Sequence, residues 1–365
     1  MWRKIMSYRP TWAEINMDAL VHNYRFAQET VHPKTIIPVI KANAYGHGAI
    51  IVMKALIQEG VKLFAVSLLE EAIELRNHDS EVEILMMGPI LESQLELCHR
   101  YNIQFTVYDK RIAEAVISHQ TPLKFHLKID TGMHRYGIDD ELFVIEWMEK
   151  LKGTEHDLIG IYTHFATANE QDDLFFEQIK KIESLIKKLP YLPKMIHVSN
   201  SSASLRYEKH FNFTTHTRLG ISLYGLSLDK DQKGLIPVMN LKTKIVEIKT
   251  LMKQDPVGYG AQYRAENDDE KIAVLPIGYA DGWIRKNKNG DVEIQGKRYP
   301  MVGIICMDAC FVKVDDSIHV GDEVTLFGGL VSTNEVAKRL DTINYEVTCQ
   351  LTSRVPRKMR KESII

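Results

Sequence analysis

The chain has 365 residues, 45% of them hydrophobic and 26% charged, a composition that excludes the disordered and fibrous classes and predicts a globular protein with ample core. At about 150 residues per domain the length suggests two domains. Lys plus Arg number 46 and Asp plus Glu 48, a net charge of -2 that gives no electrostatic case for nucleic acid and favours a small-molecule partner.

In chain order, Met1 to Asn16 mixes charges with Trp2 and Trp12 and lacks the apolar run of a signal peptide. No segment approaches the ~20 apolar residues of a membrane span. From Thr35 to about Gly225, short apolar runs alternate with helical patterns. Strands are predicted over Thr35–Lys41, Leu63–Ser67, Val82–Met87, Ile103–Val107, Lys124–Asp130, Leu158–His164, Met195–Ser199 and His216–Leu219. Amphipathic helices are predicted between them, over Ile50–Glu59, Glu70–Asn77, Leu91–Tyr101, Lys110–His119, Glu141–Lys152 and Asp173–Lys188. Eight strands each followed by a helix predict a (β/α)8 TIM-type barrel, with an open doubly wound sheet as the competing arrangement.

After Leu235-Ile236-Pro237 the character changes to alternating strands and turn signals: Lys242–Ile248, Lys271–Ile277, Val292–Gln295, Phe311–Val314 and Glu323–Phe327. One helix interrupts them, with Ser332 or Thr333 as N-cap ahead of Glu335–Leu340. The fold class is therefore α/β: a barrel over residues 12–236, then a mostly β C-terminal domain over 237–365, with residues 1–11 as a candidate to pack with it. The cysteines Cys98, Cys306, Cys310 and Cys349 are scattered and include no Cys-x-x-Cys, which fits reduced thiols in a cytoplasmic protein. Cys306 and Cys310 lack a second ligand pair for zinc, so no metal is expected.

The first barrel strand runs into Lys41 and then into Ala42-Asn43-Ala44-Tyr45-Gly46-His47-Gly48. A lysine at the carboxyl end of a barrel strand stands where such folds place their chemistry, although a solvated loop lysine is the commoner occurrence. A partly desolvated amine there has a lowered pKa and forms a Schiff base with an aldehyde cofactor. Lys-Ala-Asn-Ala-Tyr-Gly-His-Gly resembles the pyridoxal-phosphate lysine motif of the alanine racemases, and further segments match that family in order over nearly the whole chain.

The resemblance implies pyridoxal 5'-phosphate on Lys41, with the phosphate held by Tyr45, by Asn200 and Ser201 of His197-Val198-Ser199-Asn200-Ser201, and by Gly220 and Ile221 of Arg218-Leu219-Gly220-Ile221. It implies Arg218 facing the ring nitrogen. A guanidinium keeps its proton and leaves that nitrogen unprotonated, which shortens the life of a carbanion and favours prompt reprotonation. His164 is implied beside the ring, although a lone histidine at a strand end is more often a satisfied core residue.

Along Lys124–Asp130, Lys124, His126, Lys128 and Asp130 share one face and Phe125, Leu127 and Ile129 the other. That pattern fits either a solvated edge strand or a barrel strand delivering charge inward. Asp130-Thr131-Gly132-Met133-His134-Arg135 is similar to a family segment whose arginine contacts the substrate carboxylate, implying that role for Arg135. Lys128 matches a lysine that is carbamylated in several members.

In the β domain, Pro256-Val257-Gly258-Tyr259-Gly260-Ala261 resembles the segment of the catalytic tyrosine. Ile277-Gly278-Tyr279-Ala280-Asp281-Gly282 and Cys306-Met307-Asp308 resemble the segments lining the substrate channel, implying that Tyr279 and Met307 bind substrate. A tyrosine with a reference pKa of ~10 needs cationic neighbours to act as a base. The resemblance thus implies an isomerase that interconverts L- and D-alanine by two-base α-proton transfer through a pyridoxal-phosphate aldimine, with Lys41 and Tyr259 on opposite faces. It also implies a cytoplasmic homodimer with shared sites, supplying D-alanine for peptidoglycan.

Four positions depart from the family pattern: Ile304 stands for an arginine, Asn169 for an aspartate, Ser353 for a tyrosine and His134 for a glycine. They bear on channel polarity and substrate range. Racemisation of another small amino acid such as serine is the alternative within enzymes, since a small pocket discriminates weakly on one methylene or hydroxyl. A non-catalytic pyridoxal-phosphate-binding protein is the alternative outside them, and the β domain with Tyr259 argues against it.

Overall fold

Eight short β-strands with almost wholly buried side chains form the first structural frame of the chain, seen in a computed structural model that describes residues 8–170, 172–229 and 232–360. After β1 (Thr11–Asn16) these are β2 (Thr35–Pro38), β3 (Leu63–Val66), β4 (Glu83–Met86), β5 (Phe105–Val107), β6 (Lys124–Lys128), β7 (Asp157–Tyr162), β8 (Met195–His197) and β9 (His216–Leu219). Parallel pairing joins β2 to β9, β3 to β4, and β5 through β6 and β7 to β8. Single parallel bridges, Val39 to Ala65 and Leu85 to Gln104, link β2 to β3 and β4 to β5. The amide of Thr215 donates to Ile196 O at 2.9 Å and that of Arg218 to Ser199 O at 3.3 Å, joining β8 to β9. The ring closes, so the arrangement is the barrel and not the open sheet.

Helices follow most of the strands, and their starts are written in the sequence. Asp109, Asp140, Asp172 and Asn200 each accept a hydrogen bond from a first-turn amide and so cap the helices Lys110–Ser118, Glu141–Leu151, Asp173–Lys188 and Ser201–Arg206. The strand β6 lies between β5 and β7, and His126 and Lys128 are buried. The solvated-edge reading of its polar face is therefore wrong: in a closed barrel that face points inward.

The remaining strands are β10 (Met239–Lys244), β11 (Glu247–Leu251), β12 (Pro256–Val257), β13 (Tyr263–Arg264), β14 (Glu270–Leu275), β15 (Asp291–Ile294), β16 (Lys297–Val302), β17 (Cys310–Val314), β18 (Glu323–Phe327) and β19 (Arg357–Arg360). All but β12 and β13, which pair with each other, form with β1 a sheet of order β11-β14-β17-β16-β15-β18-β10-β1-β19, in which β1 pairs with β10. The single strand predicted over 242–248 is two. At Ile245 and Val246 the backbone changes partners, the first amide donating to Asp322 O and the second to Val274 O, so β10 pairs with β18 and β11 with β14. Ser332 is the N-cap of Thr333–Leu340, its hydroxyl accepting from the Glu335 amide.

The described residues fall into two compact units, one of Val21–Ala44 and Ala49–Ile236, the other of residues 8–20, Tyr45–Gly48 and the chain from Pro237. The finding not foreseen is that Tyr45–Gly48, in the middle of the lysine motif, groups with the β-rich unit.

Candidate functional site

Lys41 is half-buried at the end of β2, just beyond the barrel bridge at Val39. The carbonyl of Val39 accepts the hydroxyl of the buried Tyr224 at 2.9 Å, which fixes the strand end. Next come Ala42, Asn43, Ala44 and Tyr45, with φ of 51, 53, 56 and 51°. This is a left-handed helical turn, costing ~1–2 kcal/mol for each L-residue, and such strain persists only where the surroundings over-determine it. The Glu71 carboxylate accepts from the amides of Ala42 at 2.6 Å, Ser67 at 2.9 Å and Leu68 at 3.1 Å. Asn43 Oδ1 accepts from the Ala49 amide at 2.9 Å.

Inside the barrel the permanent cation is Arg218, 3% exposed. Its NH2 donates to Thr163 O at 2.7 Å, Val198 O at 3.2 Å and His164 Nδ1 at 3.3 Å, and its NH1 to His197 O at 2.5 Å and His197 Nδ1 at 2.8 Å. None of the described residues accepts from its Nε. Burial pulls its pKa down to about 10, which leaves it charged at neutral pH.

A chain of fixed tautomers starts here. An arginine can only donate, so His197 Nδ1 is an acceptor and its Nε2 carries the proton. That proton goes to His126 Nδ1 at 2.8 Å, and His126 Nε2 in turn donates to Gln104 Oε1 at 2.9 Å. Burial holds His126 near a pKa of about 3 and His197 well below the ordinary histidine range, with Arg218 adding to both. Gly160 makes room for this stack, since a Cβ there would lie 2.4 Å from His126 Nδ1. Sequence reasoning singled out the β6 face but not this chain, because no spacing rule links residues 104, 126, 197 and 218.

Lys128 is 3% exposed. Its Nζ lies 5.1 Å from the Tyr162 ring centroid, and no carboxylate of the described residues pairs with it. Burial, then Arg218 and Arg135, pull its pKa from an ordinary 10.5 to about 7, against a smaller opposing pull from Asp130. Half-buried His164 is driven well below the histidine range by burial and by the cations Arg218, Lys128, Arg135 and Lys41. Those four charges and His164 therefore share one neighbourhood.

Arg135 is exposed, on a loop built by Asp130, whose Oδ1 accepts from the amides of Gly132, Met133 and His134 at 2.9, 3.0 and 3.1 Å. His134, the departure from glycine, takes φ of 53° there. Gln178 is a brace that sequence reasoning missed. Fully buried, it donates to His164 O and Thr131 Oγ1, both at 3.1 Å, and accepts from the Ala166 amide at 2.9 Å. A glutamine in an amphipathic helix carries no signal that it faces inward.

Ser201 Oγ accepts from the amides of Gly220 at 2.9 Å and Ser222 at 3.4 Å, bringing the Asn200-Ser201 and Gly220-Ile221 segments together. The amides of Ser201, Ser202 and Ile221 donate to none of the described residues. Three uncommitted amides and a hydroxyl suit a phosphate, and the uncommitted Nε–H of Arg218 suits a pyridine nitrogen. The donor set fits pyridoxal phosphate.

In the β-rich unit, Tyr45 meets Tyr345 edge-on at 6.2 Å between ring centroids. Arg357 Nε donates to Gly46 O at 2.7 Å. Tyr259 is 73% exposed, between Gly258 and Gly260 at φ of 67 and 69°. Tyr279 and Met307 are exposed as well, on two turns joined by the Tyr279 amide to Cys306 O at 3.0 Å and the Ala280 amide to Met307 O at 3.1 Å. Of the departures, Ile304 is half-buried, and Asn169 and Ser353 are exposed.

Residues 15–228 match the family model described as alanine racemase, N-terminal domain, and residues 238–359 that of the alanine racemase C-terminal domain. The chain is 38% identical to the alanine racemase of Geobacillus stearothermophilus and to alanine racemase 1 of Bacillus subtilis, in each case over 96% of this chain and 93% of the relative. Among solved structures it is similar to alanine racemase from E. faecalis, with a TM-score of 0.92, 33% identity, and 98% of this chain and 100% of that one covered. It is also similar to that of Clostridium difficile 630, with a TM-score of 0.91, 38% identity, and 97% and 96% covered.

Proposed function

The chain belongs to the alanine racemase family, and on that premise we propose which of its residues carry the reaction and how they are assembled. It is an amino-acid racemase that interconverts L- and D-alanine and depends on pyridoxal phosphate. The bound cofactor supplies an electron-withdrawing ring that makes the α-proton of alanine removable. Lys41 holds it covalently. Tyr45, Asn200, Ser201, Gly220 and Ile221 hold its phosphate, and His164 flanks its ring.

The observation that carries this reading is Arg218: a buried guanidinium fixed by three carbonyls and two histidine nitrogens, with one donor left uncommitted. That donor would meet the ring nitrogen of the bound cofactor and leave it unprotonated. Electron withdrawal would then stay modest, which favours prompt return of the proton to Cα.

Lys41 Nζ and Tyr259 Oη take and return that proton on opposite faces. Exposed Tyr259 supports a homodimer in which Tyr259 of the partner subunit completes each site, with Tyr279 and Met307 beside it. Arg135 orients the substrate carboxylate. Lys128, with a pKa of about 7 and no carboxylate partner among the described residues, has enough neutral amine to add carbon dioxide, and the resulting carbamate anion would steady Arg135.

Among the described residues no helix is long and apolar enough to cross a membrane, and all four cysteines are free thiols, which supports a reducing cytoplasm. There the enzyme would supply D-alanine for peptidoglycan.

Proton NMR of L-alanine in deuterated water tests the reading, with a chiral assay of the same tube. Loss of the α-proton signal with D-alanine rising toward an equal mixture is expected. No exchange from protein shown to hold cofactor on Lys41 would overturn it, and serine would be the next substrate tried.

A further inference from the structure

A second charged chain, absent from the mechanism above, runs through the β-rich unit. Arg9 grips Asp281 with both terminal nitrogens, NH1 to Oδ2 at 2.8 Å and NH2 to Oδ1 at 2.6 Å. Asp281 is fully buried, and its Oδ2 also accepts the Gly278 amide at 3.0 Å. Arg354 Nε lies 3.4 Å from Asp281 Oδ1, and its NH2 donates to Asp308 Oδ1 at 2.5 Å. The order of charge is Arg9, Asp281, Arg354, Asp308.

The two carboxylates belong to the two turns that present Tyr279 and Met307. Those turns are already in close register: a Cβ on Gly278 would lie 2.2 Å from Cys306 O and 2.4 Å from the Met307 carbonyl carbon. The segment that carries Arg354 is tied in as well, the Thr352 amide donating to Asp281 O at 3.1 Å and its hydroxyl to Ala280 O at 3.0 Å. A buried carboxylate is costly to desolvate, and stability alone is a weak reason to keep one in an ion pair. Bidentate Arg–carboxylate geometry instead fixes direction.

We propose that Arg9, Asp281, Arg354 and Asp308 form a positioning chain that sets the separation of the Tyr279 and Met307 turns and so the width of the substrate passage. The inference rests on the assignment of Tyr279 and Met307 as substrate-side residues. The contacts of the chain run to the Tyr279 and Met307 turns and not to the Gly258–Gly260 segment that carries Tyr259, so its action is on substrate admission and fit and not on proton transfer.

The test is steady-state kinetics on cofactor-loaded enzyme with L-alanine and with L-2-aminobutyrate, which is longer by one methylene. Arg9→Met is expected to raise KM for alanine about fivefold or more with kcat within about twofold, a loss of binding rather than of chemistry. The preference for alanine over 2-aminobutyrate should fall by about threefold or more as the passage loosens. Arg9→Lys, which keeps the charge but not the fork, should fall in between. Asp308→Asn breaks only the outer, exposed pair and should shift both quantities in the same direction by less. With Arg9→Lys it carries the test if Arg9→Met does not fold.

Tyr279→Ala separates the two ways of failing. If it changes KM and selectivity while Arg9→Met, Arg9→Lys and Asp308→Asn do not, the positioning chain is overturned. If Tyr279→Ala changes neither, the assignment of Tyr279 fails and takes the chain's role with it. A drop in kcat alone, equal for both substrates, would make these residues merely structural and overturn the proposal.

Discussion

Replacing Lys128 by methionine is expected to remove a pH-dependent instability from the unmodified protein. The amine is buried, and its pKa falls from 10.5 to about 7. At ~1.4 kcal/mol for each pH unit, a protonated Lys128 costs the fold about 5 kcal/mol more than a neutral one. Below about pH 7 the lysine is charged in both folded and unfolded chains, and the whole penalty is present. Between about 7 and 10.5 the folded state has released a proton that the unfolded state keeps, so stability rises with pH. Integrated from about pH 6.5 to about pH 9, that rise is about 2.5 kcal/mol. Methionine has a similar volume and no charge, so Lys128→Met should lack this component.

The assay is denaturant unfolding of both proteins at equal concentration in buffers stripped of carbon dioxide, read as the difference between them at each pH. Their other titrating groups then cancel. Added bicarbonate should stabilise the wild type and leave the variant unchanged, because only Lys128 gains a carbamate. A difference that stays flat across this window in stripped buffer would refute the electrostatic argument, and with it the case for an uncharged amine.

Tyr259→Phe should retain the absorbance of cofactor bound to Lys41 and lose racemisation by about 10²-fold or more, the usual scale of a positioned acid–base group; full activity would remove Tyr259 from its assigned face. Ala42→Gly should raise stability by about 0.5–1 kcal/mol, because φ of 51° at this exposed alanine is strained for an L-residue and natural for glycine. A lower melting temperature for that variant would show that the turn is not strained at this position.

The barrel was legible because its signals are local. Fully buried parallel strands read as unbroken apolar runs, and aspartates at helix starts mark where the chain turns; the strand starts at Thr35, Leu63, Lys124, Met195 and His216 agree with the structure. Short or polar pieces escaped. β12, β13 and β19 have too few buried residues to show a period, and β1 is made a strand by β10, more than 200 residues away. The site divides the same way. Lys41 stands at a strand end where an unusual charge is conspicuous, and Arg218 was indicated by the resemblance of its Arg-Leu-Gly-Ile segment, whereas His126, Gln104 and Gln178 acquire meaning only when the barrel brings distant segments together. The left-handed turn was invisible for another reason: Lys-Ala-Asn-Ala-Tyr contains good formers of the ordinary right-handed helix, and its handedness is imposed by Glu71 and Asn43.

That turn has a stereochemical corollary. Mirror symmetry exchanges the right- and left-handed regions for residues of opposite configuration, so the backbone angles of Ala42 are strained for L-alanine and relaxed for D-alanine. The side chain at 42 is exposed. A semisynthetic chain carrying a D-residue at this one position should fold to the same structure with less strain. The segment next to the reactive lysine thus adopts, in L-amino acids, the local geometry native to the enantiomer that the enzyme produces.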